Sequence, residues 1–170
     1  MIQRGEGERR TRRRRARQAG LAAERAEALS IPPDLYLADT SAISRVNHEP
    51  VRAELTRLGK AALLATCVVV DLEVLYSARN PEEYARTASL RAAGFTDLPP
   101  TPEIARRARE IQARLARHSQ HRAAGCADIL TSAIAEYYNA IVLHYDADFE
   151  HISAVSGLQT RWVVPRGTVP

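Results

Sequence analysis

Five carboxylates stand where their spacing could support metal-assisted chemistry. Asp39 closes the apolar run Leu35-Tyr36-Leu37-Ala38, and Asp146 and Asp148 follow another apolar run in His144-Tyr145-Asp146-Ala147-Asp148-Phe149. Glu73 lies in a largely apolar stretch, with Asp71 two residues earlier on what would be a different helical face. Asp128 falls in the first turn of a further apolar stretch. Sequence fixes no basic residue to neutralise this set. Carboxylates drawn close together repel, so some must protonate or a cation must join them. A hard divalent ion, Mg²⁺ or Mn²⁺, takes oxygen ligands at about 2.0–2.1 Å and keeps several waters. Such a site can activate water for in-line attack on phosphorus and stabilise the leaving oxygen, with one ion or with two held about 3.5–4 Å apart. Each acid also has a plainer reading alone: Asp39 before Thr40-Ser41 suits a helix N-cap, and Asp128 suits a helix dipole. What points to a metal site is the set, with every member mapped to one rim.

The elements that must position these acids alternate along the chain. Leu35 to Ala38 reads as a buried strand ending at Asp39, followed by helical material over 41–58 interrupted near Pro50. Ala61 to Thr66 is a second strand and residues 68–78 a helix. Pro81 opens another helix running to about Arg91, and Phe95 to Leu98 makes a third strand. Pro102 starts a helix with Ile104, Ala108, Ile111 and Leu115 on one face. A helix over 127–138, a strand from Ala140 to Leu143 and a strand over Trp162-Val163-Val164 complete the pattern. Short apolar strands separated by helices predict an α/β domain whose mostly parallel sheet of about five strands is covered on both faces. In such a sheet ligands gather beyond the carboxyl ends of the strands, where strand order reverses. If the first and fourth strands are neighbours, Asp39 and Asp146 face each other there.

Charge divides the 170 residues unevenly. Residues 1–33 hold nine Arg and four Glu, whereas residues 34–170 hold 15 basic and 16 acidic residues, so the basic balance belongs to the leader. Pro32-Pro33 marks the boundary between an Arg-rich extension, expected to be unstructured or to lie upstream of the true start, and a domain over 34–170. Arg outnumbers Lys 23 to 1, which GC-rich coding explains better than nucleic-acid binding does. No apolar run reaches the roughly 20 residues of a membrane span. Cys67 and Cys126 show no ligand spacing, so a reducing cytoplasm is the expected compartment.

Four segments together, Leu37-Ala38-Asp39-Thr40-Ser41-Ala42, Asp71-Leu72-Glu73-Val74-Leu75-Tyr76, Ala127-Asp128-Ile129-Leu130 and Leu143-His144-Tyr145-Asp146-Ala147-Asp148-Phe149, resemble a PIN domain of the VapC type. The resemblance covers residues 35–165. It implies a three-layer α/β/α fold and a Mg²⁺- or Mn²⁺-dependent ribonuclease, the toxin of a bacterial toxin–antitoxin pair, often acting on transfer RNA. On the same resemblance Asp39 and Asp128 are the principal metal ligands. Glu73 holds the metal's water shell or acts as the acid–base partner, and Asp146 completes the set with Asp148 as the alternative fourth acid. Thr40 is the small hydroxyl that orients the attacking water. A VapB-like antitoxin and a homodimer are the partners it implies. Arg45, Arg79 and Arg122 neighbour the acidic segments and are candidates for RNA phosphates, with a solvated surface the plainer reading of each; Tyr76 and Tyr145 read first as core or rim packing and second as platforms for unpaired bases. His144 and His151 read as packing residues. The rival reading is a non-catalytic RNA-binding or interaction module on the same fold, and the complete acidic set argues against it.

Overall fold

The computed structural model describes residues 32–170 and Gly20, so the reading of residues 1–33 as a separate extension lies almost wholly outside the described residues. The chain runs β1 (Tyr36–Ala38), α1 (Thr40–Ile43), α2 (Glu49–Lys60), β2 (Leu64–Thr66), α3 (Val68–Tyr76), α4 (Pro81–Gly94), β3 (Thr96–Asp97), α5 (Pro102–Arg117), α6 (Cys126–Tyr138), β4 (Ile141–His144), α7 (Asp148–Val155) and β5 (Thr160–Trp162). Local chemistry sets several helix starts. Asn80 caps α4 ahead of Pro81, and Thr101 caps α5 ahead of Pro102, each side chain accepting a backbone N–H of the first turn. The helical material after β1 is interrupted between α1 and α2, just before Pro50, as expected; Pro50 itself sits in the first turn of α2, which needs no N–H from it. Asn139 ends α6 in the left-handed region at φ 56°, a conformation Asn tolerates.

The strands form one parallel sheet in the order β3-β2-β1-β4-β5. Alternation along each strand sends Leu37, Ala65 and Val142 into one core and Ala38, Leu64 and Leu143 into the other. The first core joins Val70 of α3 to Ile104, Ile111 and Leu115 of α5, Ile134 of α6, and Phe149 and Ile152 of α7. The second joins Ala42 of α1, Val51 and Leu58 of α2, and Val163, Val164 and Val169 near the C-terminus. Each large apolar side chain so buried contributes about 1.5–3 kcal/mol, which fixes the three layers. Chain order reverses between β1 and β4, and their carboxyl ends open a crevice.

Some elements depart from the sequence expectation; β2, for one, begins at Leu64 and not at Ala61, because the chain turns at Ala62 with φ 54°. Helix α7 was not anticipated, because it is eight residues long, starts in an acidic segment and buries only Phe149 and Ile152. The fifth strand sits two residues earlier than Trp162–Val164. Its ladder ends at Trp162, and Val163 and Val164 turn into the second core while Val163 N–H still donates to His144 O at 2.8 Å. Among the described residues no helix is long and apolar enough to cross a membrane.

Candidate active site

Strand β1 delivers Asp39 to the β1/β4 crevice, and Asp39 N–H donates to Leu143 O at 3.0 Å, locking the acid beside β4. Asp39 is 5 % exposed and caps α1, its Oδ2 accepting Ser41 N–H at 2.8 Å. Thr40 Oγ1 donates to Glu73 Oε2 at 2.7 Å, which brings α3 to the same edge. Ser41 Oγ accepts Tyr145 N–H at 2.9 Å, tying the loop after β4 to the start of α1. In that loop Asp146 Oδ1 accepts Asp148 N–H at 2.9 Å. Asp128, in the first turn of α6, accepts Gly125 N–H at 2.7 Å. Each of these four acids therefore uses one oxygen to fix its own position, and a carboxylate has acceptor capacity beyond that bond.

Four chain segments thus meet in one recess of about 570 Å³, lined by Asp39, Thr40, Ser41, Leu72, Glu73, Tyr76, Asp128 and Asp146. No basic side chain is among these lining residues, and the acids feel one another. Burial raises the pKa of Asp39, and the charge of Glu73 adds to it against the Ser41 hydrogen bonds. Asp128 is pushed from the ordinary 3.8 to about 6, by burial first and then by Asp39, Asp146 and Asp148, with the Gly125 N–H opposing. Burial and the Asp146 charge also raise Asp148. The repulsion inferred from the sequence is present in the structure.

The donor set decides which cation could sit here. Among the described residues no three His, Cys, Asp or Glu side chains already converge as a finished metal cage. The side chains lining the recess offer only carboxylate and hydroxyl oxygens, from Asp39, Glu73, Asp128, Asp146, Thr40, Ser41 and Tyr76. Zinc would call for imidazole or thiolate. Mg²⁺ commonly binds through one or two carboxylates and keeps several waters, so an open acidic recess fits it and Mn²⁺.

The other candidates divide. Asp148 stands next to the recess at the start of α7 and does not line it. Asp71 is drawn away from Glu73 into an ion pair with buried Arg91. Tyr76 is 92 % exposed and lines the recess. Tyr145 is committed elsewhere: its hydroxyl donates to Val169 O at 2.8 Å and its ring packs edge-on to Trp162. Arg45 is engaged by the Ser41 and Pro170 carbonyls, each at 2.8 Å, and lies over the Tyr145 ring. Arg79, exposed after α3, pairs with Glu83 at 3.1 Å, and Arg122 is exposed in the loop before α6. His144 is fully buried between Phe149 and Trp162, and burial lowers its pKa. Sequence reasoning assigned no role to Ser41, Gly125 or Arg91. The first two have a readable signal, since a small residue beside or three before an acid at a helix start is a capping pattern. Arg91 has none, because its partners lie 20 and 25 residues away.

Comparison with known proteins places the fold and the family. The family model described as PIN domain matches residues 36–155. The chain is 42 % identical over 134 residues to ribonuclease VapC51 of Mycobacterium tuberculosis, covering 79 % of this chain and 96 % of that protein. Among solved structures, VapBC-1 from nontypeable Haemophilus influenzae superposes with a TM-score of 0.63 at 18 % identity, over 76 % of this chain and 98 % of that one. VapBC-5 from Mycobacterium tuberculosis, described as a member of a family of toxin–antitoxin systems, gives 0.52 at 22 % identity, over 76 % and 98 %. At these identities the structural likeness speaks for the fold.

Proposed function

Because the chain belongs to the PIN-domain family, among the VapC ribonucleases, we propose that it is an endoribonuclease that uses Mg²⁺ or Mn²⁺ to hydrolyse RNA and serves as the toxin of a toxin–antitoxin pair. The observation that carries this reading is the recess itself: acids from four separate segments, with no basic side chain in the lining, and Asp128 held near pKa 6 by burial and by its fellow acids. Asp39 and Asp128 would hold the ion, Glu73 and Asp146 would complete its surroundings, and Asp148 would support Asp146 through the N–H it donates. When bound, the ion supplies charge neutralisation and an activated water.

The chain's own residues do the rest. Thr40 pins Glu73 Oε2, which leaves Oε1 to take the proton of the attacking water. Neutralising the acids lets a phosphodiester approach an edge that would otherwise repel it. Tyr76 offers an exposed ring beside the acids, a platform for an unpaired base. Arg79, exposed after α3 and paired with Glu83, and Arg122, exposed before α6, would be the residues to meet phosphates, whereas Arg45 would first have to leave the carbonyls that hold it. Transfer RNA is the substrate class we assign, a VapB-like antitoxin the partner, a homodimer the assembly and the cytoplasm the compartment. Asp39→Asn tests the assignment: RNA cleavage by the purified variant should fall at least about 10³-fold, with far-UV circular dichroism unchanged. Cleavage at the wild-type rate would remove Asp39 from the chemistry and the acidic recess with it.

A further inference from the structure

Helix α3 carries Glu73 to the recess, yet the core holds this helix lightly. Of its nine residues only Val70 is fully buried, with Val69 and Val74 half-buried against the same core; Val68, Leu72 and Tyr76 stand exposed, and its N-cap, Cys67, makes no side-chain cap. A polar cluster adds to this packing in fixing its rotation and height. Arg91, on α4, is 5 % exposed and reaches back with Nε to Asp71 Oδ1 and with a terminal nitrogen to Thr66 Oγ1. Thr66 Oγ1 in turn donates to Asp71 Oδ1 at 2.8 Å, and the guanidinium lies over the Phe95 ring at 4.7 Å. Thr66 ends β2, Asp71 is in the first turn of α3, and Arg91 is in the last turn of α4. The cluster therefore joins the sheet to α3 across the helix from Glu73.

We propose that Arg91 is a positioning residue for the reaction: by clamping Asp71 and Thr66 together it sets where α3 presents Glu73 to Thr40 and to the bound ion. The proposal rests on the reading of the recess as a metal site. A Lys would not replace Arg91, because one ammonium cannot span Asp71 and Thr66 in the way a planar fork can. Asp71 belongs to this clamp, which explains why an acid two residues from Glu73 takes no part in the recess.

The test is a double-mutant cycle on Mn²⁺ affinity, measured by calorimetry on the purified chain, with RNA cleavage as a second readout. Arg91→Lys should weaken Mn²⁺ binding by about 10-fold, in the range seen when outer-shell partners of metal ligands are removed. It should also lower kcat by about 10²-fold, the cost of misplacing a reacting group by about 1 Å, with KM little changed. In a Glu73→Gln background Arg91→Lys should add little to either loss, since the group it positions has gone. Thr66→Val, a milder change that removes the hydroxyl link while keeping the shape, should give the same pattern at smaller size, and it decides the case if Arg91→Lys folds poorly. Losses that persist undiminished in the Glu73→Gln background would make Arg91 merely structural and overturn the proposal, as would wild-type Mn²⁺ affinity and kcat in both clamp variants. If instead Asp39→Asn and Glu73→Gln each bind Mn²⁺ as the wild type does, the metal-site reading fails first and the proposal falls with it.

Discussion

Replacing Asp128 by Asn should stabilise the metal-free protein above neutral pH. The displacement of its pKa from 3.8 to about 6 corresponds to about 3 kcal/mol at about 1.4 kcal/mol per pH unit. Asp128 is only half-buried, so solvent screening reduces this to about 1.5 kcal/mol. Asn keeps an acceptor for Gly125 N–H but loses the favourable charge at the start of α6, worth about 0.5 kcal/mol. The net expectation is about 1 kcal/mol of stabilisation, or a Tm about 2–4 °C higher. Because the folded pKa is raised, the acid's favourable contribution is complete below 3.8 and is lost as pH climbs through about 6. The gain from Asn should accordingly be full at pH 8 and near zero at pH 4. Thermal unfolding followed by circular dichroism in chelator at the two pH values reads both numbers. A Tm unchanged or lowered at pH 8, or raised equally at both, would refute the claim that burial and crowding strain the ionised Asp128.

Three further expectations follow from particular contacts. Gly125→Ala would place a Cβ 3.0 Å from Asp128 Oδ2, and since φ at Gly125 is an ordinary −71° the backbone is not strained; cleavage should fall about 10-fold through displacement of that carboxylate. Tyr76→Ala removes a ring that is 92 % exposed, so Tm should hold while KM for RNA rises about 10-fold, the worth of one base stack. Arg45→Ala should cost about 1 kcal/mol of stability, by denaturant titration, because its guanidinium holds Ser41 O, Pro170 O and the Tyr145 ring, and KM should move by less than about twofold.

Much of the framework was readable because period-two and period-3.6 patterns survive in short elements. The α5 stripe of Ile104, Ala108, Ile111 and Leu115 is buried as its spacing predicts, and the parallel sheet follows from strands alternating with helices. The convergence of Asp39, Glu73, Asp128 and Asp146 was also inferable, since Asp39 and Asp146 follow strands, Asp128 opens a helix, and Glu73 lies in the helix that follows β2. Long-range polar pairing was not readable. Nothing in sequence says that Asp71 turns to Arg91 or that Tyr145 closes on Val169, because such bonds depend on tertiary placement and carry no period. Helix α7 escaped for a related reason: its two buried residues, Phe149 and Ile152, are too few to show a helical repeat.

The most direct test is cleavage of a transfer RNA pool by the purified chain with divalent ions stripped and then restored. The account predicts no cleavage in chelator, recovery when Mg²⁺ or Mn²⁺ is returned, and no recovery in Asp39→Asn. Undiminished cleavage in chelator would contradict it.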